Sequence, residues 1–288
     1  MDWVNAIVQG ILVGGLYALF ACGLSLIFGV MRLVNIAHGD LIVLASFLGL
    51  AVAEGLGLHP LLCMAIVIPI MFGVGYALQR GLLNLTLGAD LLPPLLVTFG
   101  LSIIIQNALL EVFSANTRKL SGGTIEVESL KIVEGLNVGV MPVIVFTSAV
   151  AVIGGLQLLL FRTPLGSAFR ATSDDPETAR LMGIDNRHIF ALAMALSLAV
   201  VAVAGIFLGM RSNFDPSIGP ARLLFAFEAV IIGGLGSLWG TLAGGVILGV
   251  SQAIGAQIDP GWQILAGHIA FLVILVVRPR GLFPRAVD

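Results

Sequence analysis

Three stretches of the chain place polar groups where their types and spacing could do more than pack. Asn35-Ile-Ala-His38-Gly39-Asp40 brings an amide, an imidazole and a carboxylate within six residues. Such groups either cap an incoming helix, taking the orphan N–H groups of its first turn, or open a half-helix or hinge facing a polar path. The second stretch runs from Arg162 to Arg187. Thr163-Pro164 reads as an N-cap followed by proline at the first helical position, and Asp174 with Glu177 has capping-box spacing around Pro176. Gly183 supplies the stop. Two short, charged, well-capped helices are expected there, either as a solvated surface or as a docking element for a soluble partner. The third stretch begins at Phe227-Glu228 and continues through Gly233, Gly234, Gly236, Ser237, Trp239 and Gly240. Glu228 falls about 9 Å inside its apolar segment at helical rise. Arg222, six positions earlier, is about 240° round the helix and off the same stripe. Glu228 therefore needs a partner on another helix, water or a proton. Both a functional carboxylate and a structural interhelical bond fit.

The elements that carry these groups are set by composition. Of 288 residues, 58% are hydrophobic and 10% charged, against about 25% charged in a soluble domain. That excludes a soluble globular enzyme and a disordered chain. The net charge of -2 excludes a nucleic-acid binder. The fold class expected is all-α, a polytopic membrane protein with eight or nine transmembrane segments, some short or broken. At about 20 apolar residues per crossing, spans fall near 4–30, 38–55, 61–79, 91–113, 141–161, 188–210, 223–238, 240–257 and 262–277. The last three are short and interrupted by glycine.

If every span crosses, Arg32, Arg80, the Arg162–Arg187 group and Arg278, Arg280 and Arg285 share one side. The positive-inside rule assigns that side to the cytoplasm, with the N-terminus outside and the C-terminus inside. The chain then reads as one transmembrane domain over 1–288, with 162–187 cytoplasmic and 114–140 extracytoplasmic. Arg118, Lys119 and Lys131 run against the rule in the 114–140 loop, but Glu126, Glu128 and Glu134 accompany them. Asp2 stands where a signal peptide would be basic, and no convincing cleavage site follows, so the first helix is expected to stay in the mature protein.

Thirty-six glycines give many four-residue spacings, among them Gly10 and Gly14, Gly205 and Gly209, and Gly245 and Gly249. Small residues at that spacing let helices approach closely in lipid. The cluster Gly233, Gly234, Gly236, Gly240, Gly244 and Gly245 is denser, as in a backbone that bends or lines a path. His38-Gly39-Asp40 and Gly236-Ser237-Leu-Trp-Gly240 each follow an apolar run and open a helix rich in small residues, which suggests a two-half pseudo-repeat.

Several chemistries have no residues to carry them. The only lysines, Lys119 and Lys131, are not followed by Ser or Thr, so there is no phosphate-binding P-loop. HExxH and GxSxG are absent, as is an arginine-rich voltage-sensing helix. His38, His59, His188 and His268 are far apart, and Cys22 and Cys63 lie in apolar runs, so no metal or catalytic set is expected. Gly234-Leu-Gly236 opens like a dinucleotide fingerprint, but Trp239 stands where its third glycine belongs.

Over nearly its whole length the sequence resembles the branched-chain amino acid ABC transporter permease family, the Liv-type inner-membrane subunits. The resemblance rests on Gly14-Gly15-Leu-Tyr-Ala18 with Gly29, on Asn35-x-Ala-His38-Gly39-Asp40, and on Gly166-x-x-x-Arg170-Ala with Asp175-Pro-Glu-x-Ala-Arg-Leu-x-Gly183-Ile. Gly233-Gly-Leu-Gly-Ser237 through Gly244-Gly and Arg278-Pro-x-Gly281 complete it. It favours the H-type subunit over its M-type partner. It implies an importer of the bacterial inner membrane built from two permeases, two cytoplasmic ATPases and a periplasmic solute-binding protein. ATP would be bound by the partner subunits, and this chain would be no enzyme and hold no cofactor. The Gly166–Gly183 segment would be the coupling element, with Arg170, Asp175, Glu177, Arg180 and Gly183 meeting the ATPases. Asn35, His38, Gly39, Asp40, Glu228, Gly233, Gly234, Gly236 and Ser237 are the candidates for the translocation path or its hinges. After the third span, relatives carry a charged stretch where this chain has Arg80 and then Gly-Leu-Leu-Asn84-Leu. The solute stays open among branched-chain and other amino acids, urea and short amides. The residues taken alone also admit a stand-alone carrier or channel.

Overall fold

The computed structural model describes residues 2–88, 92–133 and 136–283; Glu134 and Arg285 lie outside them. Eleven helices follow in order: α1 (Asp2–Met31), α2 (His38–Leu56), α3 (Pro60–Gly81), α4 (Leu92–Phe113), α5 (Val140–Arg162), α6 (Pro164–Asp174), α7 (Pro176–Leu181), α8 (Asn186–Arg211), α9 (Gly219–Gly233), α10 (Leu238–Ile258) and α11 (Gln263–Val277). Eight helical stretches are long and apolar enough to cross a bilayer. The segment expected at 223–238 is not one of them. It is α9, which starts earlier and ends at Gly233, because Gly234 and Gly236 adopt φ of 106° and 80° and turn the chain out of the helix. The described residues are all-α in class, as expected, with one small exception in the 114–140 loop. The strands β1 (Ser129–Val133) and β2 (Leu136–Gly139) form an antiparallel hairpin, with Ser129 opposite Gly139.

α1 and α10 lie antiparallel over their whole length. Gly10 and Gly14 face Val250 and Val246, while Gly245 and Gly249 face the backbone of Gly14 and Gly10. The glycine spacing is thus a close helix seam, as lipid-embedded packing requires. α8 packs on α3 in the same way, with Gly75 against Met194 and Ala195.

The ends of the molecule differ in charge. At one end, Gln9 donates to the Asn137 carbonyl and His59 bonds the Gly122 carbonyl, so the 114–140 loop covers the start of α1 and the α2–α3 turn. At the other end, Arg80 meets Asp185 at 3.3 Å, Asn84 donates to the Arg187 carbonyl, and Ser173 of α6 donates to the Gly29 carbonyl. The segment after α11 pairs there with the end of α9, Leu282 and Phe283 donating to the Ile232 and Gly233 carbonyls. Arg32, Arg80, the Arg162–Arg187 group, Arg278 and Arg280 therefore gather at this second end. In the loop at the first end, Lys119 is paired with Glu126 at 2.6 Å.

Two helices begin inside the protein. The Nε2 of His38, first residue of α2, lies 2.8 Å from the Phe20 carbonyl. Phe20 is eleven residues short of the end of α1, about 16 Å at helical rise. Residues 32–37 thus double back from the arginine-rich end before α2 runs toward the loop end. α9 repeats this upside down. Residues 212–218 leave the loop end, where Phe214 bridges to Arg118, and Gly219 opens α9 against Asp40. Met31-Arg32 precedes the first break at Gly39, and Met210-Arg211 precedes the second at Gly219. The break that answers His38-Gly39-Asp40 is therefore Gly219, not Gly236–Gly240, which lies beside Gly29 at the arginine-rich end.

Candidate functional site

Where the two broken helices meet, side chains are excluded. A Cβ on Gly39 would strike the Gly219 carbonyl, and one on Gly219 would strike the Asp40 carboxylate. Asp40 sits in the first turn of α2 and at the start of α9, where partial positive charge from unpaired N–H groups favours a carboxylate. It accepts from Ser102 Oγ at 2.5 Å and Gln106 Nε2 at 2.9 Å, one turn apart on α4. His38 is fully buried, and its Nδ1 finds no partner among the described residues. Asn35 is buried and accepts from the Ala37 amide at 3.0 Å, so it shapes the turn into α2. The N-cap itself, Ala37, has no side-chain cap.

The second half makes an equivalent polar link. Glu228, 2% exposed, bonds His268 Nδ1 on α11. Arg222 is not its partner, as the helical angle required. Phe225 stacks on the His268 ring with centroids 6.3 Å apart and lies 5.2 Å from the Tyr17 ring, whose hydroxyl donates to Gln252 Oε1 at 2.6 Å. In each half, then, a carboxylate on the broken helix reaches the last helix of that half: Asp40 to α4, Glu228 to α11. Gly233 packs against the Gly240 carbonyl, and Ser237 caps α10 by accepting from the Gly240 amide at 3.1 Å.

At the arginine-rich end, α6 and α7 hang between α5 and α8. Thr163 caps α6, accepting from the Gly166 amide at 3.2 Å. The cap of α7 is Asp175, not Asp174: its carboxylate takes the Glu177 and Thr178 amides at 3.0 and 3.1 Å and the Thr178 hydroxyl at 2.5 Å. Those bonds, the Thr178 hydroxyl first, hold the Asp175 carboxyl below the usual carboxylate range. Gly183, at φ 86°, ends the unit. Arg170 is engaged internally, with the Leu160 carbonyl, the Ser167 hydroxyl and the Phe161 ring. Glu177 and Arg180 are exposed, and beside them Leu181 and Met182 stand 86% and 80% exposed. Between α6 and the segment Gly236–Trp239 lies a cavity of about 180 Å³, lined by Ser25, Gly29, Gln157, Phe169, Arg170 and Trp239 among others.

Residues 6–277 match the family model described as branched-chain amino acid transport system / permease component. The chain belongs to that family. It is 32% identical to the high-affinity branched-chain amino acid transport system permease protein BraD of Pseudomonas aeruginosa, across 98% of this chain and 96% of BraD. It is 25% identical to LivH of Escherichia coli, across 96% and 94%, and 27% identical to a probable LivH of Methanocaldococcus jannaschii, across 94% and 90%.

Within this permease family chain the sites expected from sequence fall into separate groups. Gly39 and Asp40 converge with Gly219, while His38 turns to Phe20 and Gly23 of α1. Gly233, Gly234, Gly236 and Ser237 form a turn at the arginine-rich end, and Glu228 belongs to the second half. Sequence reasoning did not name Ser102, Gln106 or Gln252, met Tyr17 only inside the Gly14–Ala18 motif, and set His268 aside as one of four scattered histidines. Ser102 and Gln106, four residues apart in an apolar helix, were the available signal for a polar stripe. It also passed over Leu181 and Met182, whose short helix offers no periodicity to separate an apolar face from a solvated one.

Proposed function

We propose that this chain is one of two membrane-spanning subunits of an ATP-driven importer. It would pass branched-chain or related amino acids from an extracytoplasmic binding protein to the cytoplasm by alternating access. ATP is hydrolysed on two cytoplasmic subunits, and this chain binds no cofactor. The second permease subunit is of the M type; LivM of Escherichia coli is 29% identical across 43% of this chain. The arginine-rich end faces the cytoplasm, which puts residues 162–187 there and places 114–140 and the N-terminus outside.

The observation that carries this reading is the tip of α7. Two large apolar side chains stand exposed beside Glu177 and Arg180, on a rigidly capped helix hung from the membrane-spanning core. Apolar contacts rimmed by charge are the usual anatomy of a docking surface. Arg170 and Asp175 support that surface from within, and Gly183 terminates it. ATP-driven closure of the partners displaces α6 and α7. The cavity behind α6 leaves room for that displacement to reach the Gly234–Ser237 turn and, through α9, the contact at Gly39.

Single cysteines test the arrangement. In intact cells, cysteine at Met182 is expected to resist a membrane-impermeant maleimide until the membrane is opened. Cysteine at Val127, 82% exposed at the other end, is expected to label at once. Labelling of position 182 from outside rejects the coupling assignment. Amino acid uptake that persists without ATP or any second polypeptide rejects the importer.

A further inference from the structure

Around Tyr17, four side-chain atoms that ordinarily hydrogen-bond have no partner among the described residues: Arg211 Nη1, Arg222 Nε, Gln252 Nε2 and Glu228 Oε2. They come from α8, α9 and α10. The Tyr17 hydroxyl is within electrostatic reach of both guanidinium groups and of Glu228. Glu228 and Gln252 are 2% and 3% exposed. Single polar atoms closed off from solvent without a partner are costly and uncommon.

The signs are separated in space. Arg211 ends α8 at the loop end, and Arg222 is in the first turn of α9. Glu228 is six residues further along α9, about 9 Å deeper at helical rise. A zwitterionic α-amino acid head group answers both signs, with hydrogen bonds of about 2.9 Å at each end. Phe225, between Tyr17 and His268, supplies an apolar wall beside it.

We propose that this cluster binds the zwitterionic head of the transported amino acid. Arg211 and Arg222 donate to its carboxylate, and the free oxygen of Glu228, whose other oxygen is held by His268, accepts from its ammonium. Gln252 Nε2 is a further donor to the carboxylate. This rests on the reading of the chain as an amino acid permease. It adds that the permease itself, and not only a binding protein, recognises both charged ends of the solute.

The test is equilibrium binding to the full-length chain in lipid nanodiscs, using L-leucine, leucinol, which lacks the carboxylate, and 4-methylpentanoate, which lacks the ammonium. Wild-type protein should bind leucine at least tenfold more tightly than either analogue. R211Q and R222Q should each weaken leucine at least tenfold, with R222K in between. E228Q should weaken leucine but leave 4-methylpentanoate unchanged. Absence of leucine binding to the wild type overturns the site, as does equal affinity for leucinol or wild-type affinity in R211Q and R222Q. Uptake by the complete transporter separates the two readings. Leucine uptake by R211Q with an unchanged half-saturating concentration rejects the site alone. A wild-type complex that accumulates no amino acid rejects the transport function and the site with it.

Discussion

The backbone of Gly219 fills the space a side chain on Gly39 would need where α2 and α9 begin, and Asp40 fills the space beside Gly219. Gly39→Ala drives a methyl into the Gly219 carbonyl and should lower stability by about 1–3 kcal/mol, the cost of overpacking. Gly55, in the same helix with nothing within 4 Å of its missing Cβ, is the control. Gly55→Ala should raise stability by about 0.5–1 kcal/mol. Thermal unfolding of the purified protein reads both, and equal midpoints for the two variants contradict the contact.

Asp40 holds Ser102 and Gln106 in the interior. Asp40→Ala strands the buried Ser102 hydroxyl and takes one partner from the part-buried Gln106 amide, and should cost about 1–3 kcal/mol. Asp40→Asn keeps an acceptor oxygen for one of them and should cost less. Unfolding midpoints in the order wild type, Asn, Ala are expected, and a wild-type midpoint for the alanine variant discounts the link.

Leu181 and Met182 should be buried by the ATPase. Replacing both with Ser is expected to reduce permease-stimulated ATP hydrolysis at least tenfold, with normal amounts of protein in the membrane. The double change R170E and R180E should act in the same direction, but with R170E also disturbing the α5–α6 junction. Full stimulation in the Leu181/Met182 variant places the docking surface elsewhere.

The Asp175 carboxyl lies below the ordinary carboxylate value, so the ionised cap binds α7 better than the protonated one. Its contribution is fully present above the unfolded value, about 3.9, and is lost as pH falls through the lower folded value. A spin label at position 182 should therefore gain mobility only below about pH 4. Asp175→Asn, a cap without a titrating proton, should remove that step. A step of unchanged size in the Asn variant assigns the transition to another group.

Much of this architecture was legible in the residues. Apolar runs located the spans, Thr163-Pro164 and Gly183 framed the capped pair, and glycines four apart marked the α1–α10 seam. Helical angle alone separated Arg222 from Glu228. What stayed hidden depends on contacts between distant segments. No local pattern says that residues 32–37 turn inward, because an extended connector has no periodicity to report its direction. His268 is forty residues from Glu228. Gly219-Pro220 was a readable helix start, with proline in the first turn, but the apolar run at 223–238 masked it by continuing through the glycine turn. Asp174 and Asp175 compete for one cap, and backbone geometry decided between them.

α9, at fifteen residues, is shorter than the roughly twenty needed to settle in a bilayer unaided. Its amino end rests instead on α2, on the backbone beside Asp40. A change at Gly39 or Asp40 thus reaches the carboxy-terminal half directly, through the seat on which α9 rests.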